Sequence, residues 1–552
     1  MATTLSACAG KTSGPESGAP SPVAMGPVWT SSVTVANFCA IHLDEATAIR
    51  EKIKAAESAT FDSVLVEFNN MLLAIDKAYG LTGLIAQVHP EKDRREAAEK
   101  CEREIQKFMS DMNLDRGLYD AVSSVDISSA DAHTKRFVMK LVRDFKRSGV
   151  DKDEATRKRL KDIHAKLVVV GQAFSRNIRD DVRTLELDNA ESLKGLPQDW
   201  INAHKPNEAG KIVITTNYPD YFPVQNYAED ESLRSELTKK FLSRGYPKND
   251  ATFKEILNLR QEYASILGYE NWADYNAGDK MVGNAKTIAA FIDDITKIAK
   301  PRGDRDIAEL LERKKKDNPK AKAIQTWDRF YYVGKVRKEK HGFDAQSVRP
   351  YFEFSRVTKG IMDLYGELFG VRFVHNAERP VWHKSVQAYD LYSGEKKIAE
   401  FFLDMHPRKG KYKHAAMFPL RTDVEGGDLP SASLVCNFPE PTEGGEPALM
   451  EHTQVVTYFH EFGHLVHQLL ASGSKWANLA GINVEWDFVE APSQLLEEWA
   501  WDADVLARFA KHIEINEPIS ADTVQKMRVS FEFGKGAYVM RQIFYTALSD
   551  GW

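Results

Sequence analysis

Cysteine is scarce. The 552 residues hold four, Cys8, Cys39, Cys101 and Cys436, and no two form a C-x-x-C pair. That excludes a disulfide framework and a thiolate zinc module. An excess of one charge is missing too: 74 Lys and Arg stand against 80 Asp and Glu, a formal net charge of −6. Over this length the balance gives no global field for nucleic acid or an anionic membrane. The basic runs at 312–322 and 333–342 are mixed with acids and read as solvated helix ends or turns. No apolar run approaches the roughly 18 residues of a transmembrane segment. There is no fixed-period repeat, no dinucleotide-binding glycine pattern and no P-loop.

What is present begins with a tail. Residues 1–30 are rich in Gly, Ser, Pro and Ala and read as a disordered tail or tether. Within it, Leu5-Ser6-Ala7-Cys8 resembles a bacterial lipobox, but the charged and apolar segments of a signal do not precede it. Two locations follow as expectations: soluble and cytoplasmic by default, or a cell-envelope lipoprotein held through Cys8.

From residue 38 onward, apolar residues recur at three- and four-residue spacing with charges between them, predicting helix after helix. "DESLRSELTKKFLSRG" and "NDATFKEILNLRQEYASILGY" open on capping residues and stop near glycine. Strand signals are few. They are "KIVITTN" (211–217), a hairpin over 396–420 turning at Pro-Arg-Lys-Gly, and "SASLVCNF" (431–438). Bounded by Pro430 and Pro439, the last is expected at a sheet edge. The expected fold is mainly α with a small β patch, whose exposed edge can hold an extended peptide by backbone hydrogen bonds.

Just after that patch stands "TYFHEFGHLVHQLL", residues 457–470. On a helix His460 and His464 lie one turn apart on one face, so two imidazoles can meet one tetrahedral metal ion. Glu461 points beside it, where a carboxylate can take a proton from water. Val455, Val456, Phe459, Phe462, Val466, Leu469 and Leu470 make the helix apolar nearly all round, hence buried. Among 15 histidines this pattern can arise by chance, so it needs a third ligand. Glu490 stands 26 residues after His464 on a second predicted helix, far enough for the chain to turn back and supply it. The longer pattern H-E-x-x-H-x-x-G-x-x-H is excluded, because 467 and 470 hold His467 and Leu470. His467, one turn further on, reads as support or packing. Asp487 reads as orienting a ligand histidine or as a helix N-cap.

HEFGH followed by "DFVEAPSQLLEEW" resembles the thimet oligopeptidase family of zinc peptidases. The resemblance continues through "FFLDMHPRKGKYKHAA", "SLVCNFPEP", "YFPVQNYAEDESLRSELTKKFLSRG" and "LGYENWADY", over most of residues 35–550. It implies a two-lobed, helical, zincin-type metallopeptidase with a deep central channel, divided into an N-terminal lobe (31–190) and a catalytic region (191–552). It implies one Zn2+ per chain, held by His460, His464 and Glu490, with Glu461 as general base. Tyr412 and His414 become candidates for touching substrate, which lies against "SASLVCNF". The implied activity is cleavage of internal bonds in short peptides by a monomer. A dipeptidyl carboxypeptidase and an impaired, peptide-binding fragment are the alternatives. The second rests on a departure: the family's Tyr-rich segment, which stabilises the oxyanion, has no counterpart before "RQIFYTALSDGW" ends the sequence, and Tyr538 and Tyr545 do not stand in its pattern. On this reading the chain is truncated, and one lost oxyanion donor costs about 10²–10³ in rate.

Overall fold

The computed structural model describes residues 27–441, 447–471 and 473–550. Cys8 and nearly all of the tail lie outside them. The tail's last residues, Val28–Thr30, form a short 3-10 turn with Trp29 edge-on to Trp382 at 5.9 Å. Helices dominate, from Ser32–Lys54 to Lys535–Asp550, and the expected caps start many of them. Asp230, for example, accepts from the Ser232 and Leu233 amides ahead of Glu231–Leu242.

The first helices pack around Phe68, Met71, Ile105, Phe137 and Phe145. Phe61–Val88 is long and apolar enough to cross a membrane, yet its Phe68, Met71 and Ala78 are buried in this core. The cysteines build no framework, but Cys39 and Cys101 pair across 62 residues and join helices Ser32–Lys54 and Lys92–Asn113. Trp476, from just beyond the HEFGH helix, inserts into the same core. Its ring stacks on Phe137 at 4.2 Å and its Nε1 donates to Thr134 Oγ1 at 3.1 Å. The N-terminal helices therefore brace the segment that leads away from the histidines.

Seven strands occur among the described residues. β1 (Thr184–Leu187) pairs antiparallel with β2 (Ile212–Thr215), inside the expected 211–217. β3 (Arg372–His375), β4 (Gln387–Ser393), β5 (Lys396–Asp404), β6 (Ala416–Arg421) and β7 (Ser431–Val435) form the larger sheet, in the order β3-β4-β5-β7-β6. Two expectations fail here. β5 and β6 are no hairpin, because β7 lies between them, parallel to β5 and antiparallel to β6. β7 is accordingly a central strand, buried along its whole length, and the edge is β6.

The reason lies in residues 405–415. The buried Lys411 ammonium donates to the carbonyls of Asp404, His406 and Cys436 at 2.8, 2.6 and 2.6 Å. The Asp404 carboxylate in turn holds Lys411 and Arg408. The connection is a built knot rather than a tight turn, and it leaves a strand's width for β7. Pro419 lies within β6, as an edge strand permits. At Leu420 that edge is covered: a Cβ on Gly80 would lie 2.5 Å from the Leu420 carbonyl oxygen, so helix Glu67–Val88 seats on β6 through a glycine.

The sheet's outer side carries an ion-pair network of Arg379, Lys397, Asp390 and Glu400. Burial opposes ionisation of Glu400, but hydrogen bonds from Arg379 and Lys397 outweigh it and hold the carboxyl at about 2. A folded pKa below the ordinary 4.5 stabilises the fold above that value, and the stabilisation is lost as pH falls toward 2. At neutral pH it is on the order of 3 kcal/mol. We expect urea midpoints to fall as pH drops from about 4.5 toward 2, and Glu400→Gln to flatten that fall. An equally steep fall in the variant would remove Glu400 as its source.

Candidate metal centre and active site

The HEFGH stretch lies on helix His452–Leu470. Glu451 and Gln454 close a reciprocal capping box at its start. Val455, Phe459, Phe462, Val466 and Leu469 recur at three- and four-residue spacing and are buried. Phe462 meets the rings of Tyr365, Phe373 and Phe401, which fixes the helix against the sheet. The Tyr365 hydroxyl donates to the Phe459 carbonyl at 3.0 Å, one residue from His460.

Helix Glu490–Glu497 comes back against this helix at a glycine. A Cβ on Gly463 would lie 2.9 Å from Ser493 Cα, inside the distance any real Cβ keeps. At the other end His452 Nε2 is 2.8 Å from the Ala500 carbonyl. Glu490 Oε2 thereby stands 3.2 Å from His460 Nε2 and 3.1 Å from His464 Nε2. It also accepts from the buried Ser493 hydroxyl at 3.0 Å. The three ligand atoms all lie within 4.8 Å of one another. Donors bonded tetrahedrally at about 2.0–2.1 Å are roughly 3.3 Å apart, so this spacing fits one small cation.

His460 Nδ1 lies 2.7 Å from Glu497 Oε1. A proton on Nδ1 satisfies that carboxylate and leaves the Nε2 lone pair facing the cluster. Burial opposes protonation of His460, but Glu497 outweighs it and holds the imidazole above its ordinary value; burial holds His464 below. Glu497 was not among the sequence candidates. Its signal was present, for it follows Glu490 by seven residues and two helical turns return it to the same face. Glu497→Ala should lower metal affinity or turnover by about 10–100-fold. Competition against a zinc-sensing dye would measure this, and unchanged affinity with unchanged kcat would remove Glu497 from the site.

Glu461 is 8% exposed. Burial pushes its carboxyl up to about 7, with His460 opposing and Glu490 adding. The backbone amide of Met417 on β6 also acts on it, so the edge strand passes beside this carboxyl. Tyr412 stands at the same corner: burial, and then the charge of Glu461, raise its phenol. Asn437 Nδ2 pins the loop by donating to the Tyr412 and His414 carbonyls at 3.0 and 2.9 Å. His414 is exposed and meets the Tyr218 ring at 5.1 Å.

Two candidates do not join the cluster. The Asp487 carboxylate accepts from the Met281 and Val282 amides, both at 3.0 Å, and so ties down a distant loop. It neither orients a ligand histidine nor caps a helix, since the helix starts at Glu490 with Val489 before it. His467 is half-buried, and no hydrogen bond joins it to the ligands among the described residues. Tyr538 and Tyr545 are exposed on the last helix, Lys535–Asp550.

The chain is similar to known proteins over most of its length. Oligopeptidase A of Haemophilus influenzae is 28% identical over 517 residues, covering 89% of this chain and 76% of that protein. Oligopeptidase A of Salmonella typhimurium is 30% identical over 476 residues, covering 81% and 69%. Saccharolysin of Saccharomyces cerevisiae is 28% identical over 527 residues, covering 90% and 73%. The model of Peptidase family M3 matches residues 224–550, more than half of the chain and all of the residues around the cluster. With the histidines, the carboxylates and the Gly463 helix contact inside that match, the chain belongs to peptidase family M3.

Proposed function

We propose that this metallo-oligopeptidase is a zinc-dependent endopeptidase that hydrolyses internal bonds of short peptides. The observation that carries this reading is the convergence of His460 Nε2, His464 Nε2 and Glu490 Oε2 beside a buried carboxyl, Glu461. Two imidazoles and one carboxylate are a catalytic zinc donor set that leaves a position for water. Zinc held there would supply Lewis acidity, acidifying water and polarising a scissile carbonyl.

The remaining steps belong to the chain's own groups. Glu461 takes the proton of the attacking water and passes it to the leaving nitrogen. Its burial favours the protonated form, so it can hold that proton between the two transfers. Glu497 keeps the proton of His460 on Nδ1. A substrate strand can pair with the edge of β6 near Ala416, next to the Met417 amide that faces Glu461, replacing the expected contact with β7. Tyr412, kept protonated by burial and by Glu461, can donate to that substrate.

A quenched fluorescent peptide of about ten residues tests the reading. Cleavage at an internal bond should vanish with a chelator and return with Zn2+, while a folded protein of the same composition stays intact. Zinc-loaded protein without chelator-sensitive turnover would overturn it.

A further inference from the structure

Three guanidinium groups around helix Tyr218–Tyr227 face no carboxylate partner among the described residues. Arg244 lies over Phe241 at 3.8 Å and donates through Nε to the Phe241 carbonyl. Arg329 lies over Phe330 at 4.6 Å. Arg541 donates to the Tyr545 hydroxyl at 3.1 and 2.9 Å. None of the three pairs with a carboxylate among the described residues. The contrast with their surroundings is sharp: Arg313 bridges Asp317 and Glu339, and Lys335 on the Arg329 helix pairs with Asp317.

The three come from distant parts of the chain yet gather around the aromatic residues of helix Tyr218–Tyr227. Tyr221 stacks on Phe241 at 3.9 Å beneath Arg244. On the other side Phe222 meets Phe330 at 6.2 Å beneath Arg329. All three guanidiniums act on the Tyr221 phenol, and Arg541 adds to the burial that pushes Arg329 down. Like charges drawn together and left unpaired disfavour the free protein, and a bound anion removes that penalty.

The same face leads to the base. Tyr218 touches His414, whose ring lies 5.4 Å from Tyr412, and Tyr412 feels the charge of Glu461.

We propose that Arg244, Arg329 and Arg541 form a carboxylate-binding subsite that grips an acidic group of the bound peptide. Guanidinium groups suit this ligand because they engage a carboxylate through two parallel hydrogen bonds, and the aromatic face receives the neighbouring side chain. The carboxylate can be an Asp or Glu side chain or the peptide's own terminus. The inference rests on the peptidase reading for its ligand, but binding can be measured without turnover.

The test uses the full chain with Zn2+ and one neutral, amide-ended quenched peptide. Derivatives carry a single Glu in place of Gln at each position, or a free carboxy terminus. We expect at least one derivative to bind and to be cleaved about tenfold or more better than the neutral parent, by fluorescence anisotropy and by kcat/KM. Arg329→Gln and Arg244→Gln should each reduce that preference to about twofold while leaving the neutral parent's kcat/KM within about twofold. Preference at an internal Glu identifies a side chain as the source, and preference for the free acid identifies the terminus. If no peptide is cleaved but the preference in binding persists and is lost in the variants, the subsite stands and the peptidase reading falls. Equal binding of acid and neutral peptides, or a preference unchanged in both variants, overturns the subsite.

Discussion

Glu461→Gln is expected to retain one zinc per chain and to lose about 10²–10⁴ in kcat. The substitution preserves size, so the buried position beside Met417 and His460 still packs, and a side-chain oxygen still faces the Met417 amide. What is lost is the lone basic site. An amide cannot take a proton from water, and the other carboxylates of the cluster are already engaged. Glu490 is engaged by both imidazoles and by Ser493, and Glu497 by His460 Nδ1. Metal content by atomic absorption and turnover of the quenched peptide separate the outcomes. Zinc retained with kcat within tenfold of wild type would show that the assigned base is wrong. Zinc lost together with activity would make Glu461 part of the ligand set.

How far the site was legible depended on sequence distance. His460 and His464 meet because a single helix brings residues four apart together, and Glu461 follows from the same geometry. Glu490 required a second helix and a turn, which residue spacing allowed but could not fix; resemblance to the family supplied it. Glu497 escaped notice although its seven-residue offset from Glu490 was plain. Only the position of the His460 imidazole tells which of several acids on that helix meets a ligand. Asp487 was misread because its partners, the Met281 and Val282 amides, lie about 200 residues away. The helical character of the chain was read correctly because its periodicity and caps are local. Sheet order was not, because β6 is laid one strand away from β5 and β7 turns back from it into the gap. The Lys411 contacts that hold the gap open join carbonyls from three separate positions.

The glycine in HEFGH carries the other large expectation. Gly463→Ala places a methyl group 2.9 Å from Ser493 Cα, a backbone atom that cannot swing aside. Helix Glu490–Glu497 must then move off by several tenths of an ångström or more, and two things move with it. Glu490 Oε2 leaves its position between the imidazoles, and Glu497 leaves His460 Nδ1. Overpacking of this kind typically costs about 1–3 kcal/mol of stability. The effect on metal should be larger than that of losing Glu497 alone, because a ligand and its orienting carboxylate are displaced together. We therefore expect zinc affinity to fall by at least about 100-fold while the thermal midpoint of the metal-free protein falls by only a few degrees. The neighbouring change Ser493→Ala is the control, since it removes the hydroxyl that donates to Glu490 without adding volume. It should weaken zinc by less than Gly463→Ala does. If Gly463→Ala bound zinc like the wild type, close approach of the two helices would not be what sets the third ligand. If instead the metal-free protein unfolded outright, the glycine's role would be in the core rather than at the metal.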